Sequence, residues 1–192
     1  MSSFDPQAFG PVFAPLVDID RRRPLDAGSQ NRGARSELAL LSLETAFEHE
    51  RAVDRDMASC CIAGAWLLHD FLDESHAISQ TIETPSGGFW HAIMHRREGD
   101  FSNSKYWLRR VGRHPVFDAI GIRVVASAAA DASSSFGETR LRGGAEWDPF
   151  SLVDLCEAAV SDQSDSRDSC LDIQQVEWEL LFDHCYIAAI GA

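Results

Sequence analysis

The stretch "MASCCIAGAWLLHDFL", residues 57–72, has only Ser59, His69 and Asp70 as polar residues. A helix that is apolar on every side has no solvent face, so other elements must enclose it. The rest of the chain therefore has to supply elements enough to surround it.

Those elements read as helices. Residues 36–56 place Leu40, Leu43 and Phe47 at i, i+3 and i+7, an amphipathic pattern. A shorter helix follows in "ESHAISQTI", closed by Thr84-Pro85, and "SGGFWHAIMHRRE" opens the next. Gly99-Asp100 makes a turn, and "FSNSKYWLRRVG" ends at Gly112 with Pro115 just beyond. Residues 116–130 read as a helix, although their β-branched run leaves a strand open, and 131–147 read as a loop. Asp148-Pro149 offers an N-cap followed by proline at the first helical position. The last helix is expected from Ser169, where Ser169 and Asp172 have capping-box spacing, with Ile173, Val176, Leu180 and Ile187 on one stripe.

No hairpin signal competes, so the expectation is an all-α fold of packed antiparallel helical hairpins. Sliding the chain by 30 residues lays Asp70-Phe71 on Asp100-Phe101 and Pro85 on Pro115, a weak tetratricopeptide-like echo. The signature that such repeats carry after their tryptophan is missing after both Trp66 and Trp107. Residues 1–35 hold Pro6, Pro11, Pro15 and Pro24 and are expected to form an extended N-terminal arm. Its apolar residues Phe4, Phe9, Val12, Phe13 and Leu16 would lie across the body or a partner subunit, the latter giving a homodimer. Residues 36–192 are expected to be a single all-α domain.

Composition narrows the function classes. A formal net charge of −13 and a pI near 4.8 disfavour nucleic acid and anionic membrane surfaces as partners. No apolar run approaches the length of a membrane span, and "MSSFDPQAFGPVF" has no leader-like pattern. Five cysteines, odd in number and with no C-x-x-C pair, read as buried free thiols in a reducing cytoplasm.

Two constellations could carry chemistry. His91 and His95, four apart on a helix, lie about 40° apart around it and about 6 Å along its axis. That spacing lets one helix offer two imidazoles to one ion. If residues 69–76 form a single helix, His69, Asp73 and His76 share a face at i, i+4 and i+7. The short link Pro85-Ser86-Gly87-Gly88 would fold these two sets together. The expected metal ligands are then His69, His76, His91 and His95, with a divalent ion such as zinc as cofactor, and His91, His95 and Asp73 as catalytic candidates. A metal-free polar pocket, or histidines bonded only to one another, are the competing accounts.

The second constellation is basic. Arg96, Arg97, Lys105, Arg109, Arg110 and Arg113 stand against Glu98 and Asp100 within residues 95–113. Arg96, Lys105, Tyr106 and Arg109 are candidates for clamping an anionic small molecule. Segment 146–183, with eleven acidic residues and one arginine, could equally absorb this charge. No G-x-S-x-G elbow or phosphate-cradling glycine loop is present.

The stretch "WHAIMHRREGDFSNSKYWLRRVGRHPVF" (90–117), preceded by "LLHDFLDESHAISQ", resembles a segment of a group of uncharacterised bacterial and fungal proteins. Their shared pattern is H-R-R-E-x-D…N-x-K-Y-W-x-R-R-x-G-x-H-P. The resemblance spans residues 69–117, about a quarter of the chain, and implies no role for any residue. It places the interest at 69–115. The expected function is a pocket for a polar or anionic small molecule, in which a metal-assisted hydrolysis or isomerisation would fit. The alternative is a non-catalytic interaction or homodimerisation module with an Arg/Trp surface.

Overall fold

The apolar run becomes α3 (Arg55–Leu68). It is N-capped by Asp54, whose carboxylate accepts the N–H groups of Asp56 and Met57 at 3.0 Å each. Every residue from Cys60 to Leu68 is buried. In the computed structural model, which describes residues 4–130, 147–162 and 166–192, α3 is enclosed by other helices, and the fold is all-α. Short α1 (Gly10–Val17) and α2 (Arg35–Leu38) precede it. Then come α4 (Leu72–Ser79), α5 (Pro85–Glu98), α6 (Phe101–Val111), α7 (Val116–Ala130), α8 (Pro149–Asp162) and α9 (Ser166–Ile190). α3 packs on α1, α4, α5 and α9, while α9 also packs on α7 and α8, and α6 lies between α5 and α8. No helix among the described residues is long and apolar enough to cross a membrane.

Close packing at the centre depends on Gly64. A Cβ there would stand 2.8 Å from Cζ2 of Trp90 and 3.3 Å from the ring of Phe182. The Trp178 indole donates to the Gly64 carbonyl at 3.1 Å. α9 thereby touches α3 directly, and it also supplies Glu177, Glu179 and Tyr186 as polar partners to other segments.

The N-terminal segment is not extended throughout: residues 6–17 are helical, while 18–34 cross the body without helix, Arg21 meeting Glu179 and Arg23 meeting Asp70. Residues 6–9 form a 3₁₀ turn and 10–17 a helix, because Pro6 and Pro11 fall in first turns, where the missing N–H costs nothing. Phe9, Phe13, Leu16 and Val17 follow helical spacing and are buried against Phe182, Tyr186 and Phe47. Gly10 sits at φ +70°, and any Cβ there would collide with the His49 ring. Of the two expected places for these apolar groups, the body of their own chain is the one they cover.

Three other expectations need correction. The helix over 36–56 is only the single turn α2. The Ser42 hydroxyl accepts the N–H groups of Glu44 and Thr45, and the Thr45 hydroxyl donates to the Leu40 carbonyl at 2.6 Å. These side chains give the backbone a turn in place of a helical ladder. α9 begins at Ser166, so Ser169 is a buried interior residue and not a cap. Ile187 lies 43% exposed, and the inner stripe runs through Cys170, Ile173, Glu177, Leu181 and Cys185. Asp148 does cap α8, accepting the Phe150 N–H at 3.0 Å. The loop expected at 131–147 lies outside the described residues except for Trp147.

Candidate metal centre

α3 and α4 are not one helix. The chain breaks at 69–71, where Asp70 takes φ 63°, a left-handed conformation uncommon for a non-glycine residue. Its carboxylate is fully buried and paired with Arg97 at 2.6 Å and with Arg23. The break turns His69 away from His76. The Nε2 of His69 contacts the Leu16 carbonyl at 2.8 Å, and its Nδ1 contacts the Asn31 amide at 3.0 Å. A carbonyl only accepts, so Nε2 carries the proton and the ring is neutral. Burial lowers its pKa accordingly. His69 is a structural residue.

His76, His91 and His95 do meet. α5 is fixed at its start by Thr84, whose hydroxyl accepts the Gly87 N–H at 3.2 Å, and at its end by Gly99 at φ 88°. His91 and His95 sit one turn apart on it, and α4 brings His76 alongside. Ring centroids lie 4.6 Å apart for His76–His91 and for His91–His95, and 5.4 Å apart for His76–His95. One nitrogen from each ring lies within 4.8 Å of the other two. His91 and His95 are buried, and His76 is half-buried.

α6 braces this group. Asp100 caps it by accepting the Asn103 N–H at 3.0 Å, which sets Asn103 and Trp107 one turn apart. Trp107 stacks on His91 with centroids 4.1 Å apart, and the Asn103 amide lies 3.0 Å from Nε2 of His95. The pairing of 91 with 107 and 95 with 103 runs α5 and α6 antiparallel.

Protons follow from these contacts. The Glu98 carboxylate accepts from Nδ1 of His95 at 3.1 Å, so the Nε2 lone pair of neutral His95 faces inward. That lone pair accepts from the Nε2–H of His91 at 2.8 Å, leaving Nδ1 of His91 buried without a hydrogen bond of ordinary geometry. Burial first, then the His95 and His76 rings, push the His91 pKa down to about 3, against a weak opposing pull from the Ser79 backbone. Burial also lowers that of His95, with Glu98 working the other way.

No protein-family model, curated protein or solved structure matches this chain.

The other expected site residues lie elsewhere. Asp73 is exposed on α4 and lines a separate polar hollow of about 630 Å³ with Gln30, Arg32, Asp70 and Glu98. Arg96 and Arg97 are both buried and engaged. Arg96 reaches across to Glu177 and Gln174 on α9. Arg97 holds Asp70 and the carbonyls of Leu67 at 3.0 Å and of Pro24 and Asp26 at 3.1 Å. Lys105 pairs with Asp154 at 2.6 Å and Glu157 at 3.1 Å on α8. Tyr106 and Arg109 are exposed and do not converge with Arg96 or Lys105. The expected anion clamp is therefore not assembled. Arg96 and Lys105 went to the acidic segment 146–183, while Tyr106, Arg109 and Arg110 remain exposed beside half-buried Trp107.

Sequence reasoning missed Asn103 and Glu98 as supports of His95, though 103 and 107 repeat the four-residue spacing of 91 and 95. It also missed Ser86, whose hydroxyl lies 3.0 Å from Nε2 of His114 in a buried pair. This is not a nucleophile and its base. The Val116 N–H donates to Nδ1 of His114 at 3.2 Å, so the neutral ring carries its proton on Nε2 and donates to the serine. A fluorophosphonate probe should leave Ser86 unlabelled by mass spectrometry; labelling there would require the opposite tautomer. The Cys60 and Cys61 thiols are equally poor nucleophiles. Cys60 is raised well above the ordinary range by its contact with the Cys185 thiol and by burial, and Cys61 by burial.

Proposed function

We propose that the protein binds a divalent transition-metal ion through His76, His91 and His95, with zinc as the ion whose ligand preference fits best. The observation that supports this reading is the convergence of three imidazole nitrogens, drawn from two helices, within 4.8 Å of one another. Ligands of a tetrahedral zinc ion stand about 3.4 Å apart, given zinc–nitrogen bonds of about 2.0–2.1 Å, so modest ring rotations suffice. Metal ligands must be neutral imidazoles, and burial keeps His91 and His95 so at pH 7. Glu98 would set the tautomer of His95 by accepting its Nδ1 proton, a role carboxylates commonly fill behind ligating histidines. Trp107 would fix the ring plane of His91.

Among the described residues no fourth histidine, cysteine or carboxylate joins the group, which leaves a position for water or a substrate oxygen. Bound there, the ion would polarise a carbonyl or lower the pKa of its water, chemistry suited to hydrolysis or isomerisation of a small polar or anionic molecule. A cytoplasmic location is part of this reading, since all five cysteines are free and buried.

The test is a calorimetric titration of chelator-treated protein, purified without a metal-affinity tag, with zinc. One equivalent is expected to bind. His76→Ala, at a half-buried position, should abolish stoichiometric binding, and Glu98→Gln should weaken it about tenfold. Absence of binding at micromolar zinc, or equal binding by the His76 variant, refutes the proposal.

A further inference from the structure

Trp107 has a second face to account for. It also borders a cleft of about 290 Å³ between the α4–α5 turn and α6, walled by Ile82, Glu83, Pro85, Arg110 and Val111. Arg110 sits above Trp107 with its guanidinium carbon 5.2 Å from the ring centroid, and it donates to the Tyr106 hydroxyl at 3.4 Å. It has no carboxylate partner among the described residues. Glu83, between buried Ile82 and the capping residue Thr84, also accepts no hydrogen bond and forms no ion pair there, although it lines the same cleft.

Two opposite charges thus border one small cleft without closing on each other. The arginine is stacked in place by two aromatic rings, and the glutamate is set on backbone anchored by the α5 cap. The space between them has an indole floor and apolar walls. Ligand pockets are generally about 300 Å³ or larger, so this one suits a very small molecule.

We propose that this cleft binds a free α-amino acid with an apolar or aromatic side chain. Its carboxylate accepts from the Arg110 guanidinium, its ammonium donates to the Glu83 carboxylate, and its side chain lies on Trp107 between Ile82 and Val111. The cleft shares Trp107 with the histidine cluster but none of the ligating groups, so the proposal stands whether or not a metal binds.

Titration calorimetry on the full chain tests it with L-phenylalanine, 3-phenylpropionate and phenethylamine as probes. L-phenylalanine is expected to bind, shifting backbone amide resonances at 82–88 and 107–111. Each probe lacking one charge should bind about tenfold more weakly, the loss of one charge-assisted hydrogen bond. Arg110→Met should make L-phenylalanine no better than phenethylamine, and Glu83→Gln should make it no better than 3-phenylpropionate. Both positions are exposed, so the variants should fold. No binding of L-phenylalanine at tens of millimolar, or binding indifferent to both substitutions, overturns the assignment.

Discussion

Glu177→Ala is expected to destabilise the protein by about 3–5 kcal/mol, as seen when one partner of a buried ion pair is removed. Glu177 is 0% exposed and faces Arg96, itself 2% exposed. The guanidinium cannot shed its charge at any pH the fold survives, and its Nε already lacks a hydrogen bond. Gln174, at 3.5 Å, is too distant and neutral to replace a carboxylate. The double variant Arg96→Met with Glu177→Leu should return to within about 1–2 kcal/mol of the parent, since an apolar pair of similar volume removes the desolvation penalty with the charges. Urea denaturation of the three proteins checks both expectations. A loss below about 1 kcal/mol in the single variant would mean that water reaches Arg96, and that this core is looser than described.

The second large effect is acid sensitivity. His114 is held neutral with a pKa near 4 by burial and by the His184 ring facing it from α9, and His69 is lowered mainly by burial. In the unfolded chain each returns to about 6.5. A base depressed in the fold binds its proton more readily when unfolded. Its stabilising contribution is therefore complete above about pH 6.5 and is lost as the pH falls toward the folded value. For His114 alone the loss approaches roughly 3 kcal/mol by pH 4, at about 1.4 kcal/mol per unit. The groups facing His69 partly cancel, because Arg23 opposes its protonation while Asp70 and Glu37 favour it. Urea midpoints measured from pH 7.5 down to 4.5 should fall steeply below 6.5. His114→Gln keeps a donor toward Ser86 and does not titrate, so it should lessen that fall, the remainder belonging chiefly to His91 with its pKa near 3. An unchanged slope would assign the acid sensitivity elsewhere.

What the sequence made legible was local. The burial of α3 followed from its composition, and the ends of α5 and α6 and the start of α8 followed from Gly99, Gly112 and Asp148-Pro149, whereas Thr84-Pro85, read as closing the helix before it, caps and opens α5. The four-residue spacing placed His91 and His95 together, but the connection lay elsewhere than expected: Pro85-Ser86-Gly87-Gly88 form the first turn of α5, and residues 80–84 make the turn that sets His76 beside them. What remained hidden depends on partners far along the chain. The break that removed His69 and Asp73 from the cluster is pinned by Asp70 against Arg97 and Arg23, 27 and 47 residues away. Adjacent arginines on a helix point about 100° apart. Arg96 therefore turned to α9 and Arg97 to the loop at 24–27, and no local pattern distinguishes such partners from a bound anion. The prolines misled for a simpler reason: their number argued against helix, while Pro6 and Pro11 stand in first turns that allow it and Pro15 is tolerated inside the short α1.

α9 has a consequence for how the protein is made. It provides Glu177 to Arg96, Glu179 to Arg21 and Arg123, Trp178 to Gly64, and a Tyr186 hydroxyl 2.9 Å from His49. All of those groups leave the ribosome before it does. Until α9 emerges, the earlier helices carry a guanidinium with no counter-charge and an apolar central segment with one side bare, which is a state that attracts chaperones. Translation must run through α9 before the native arrangement can close.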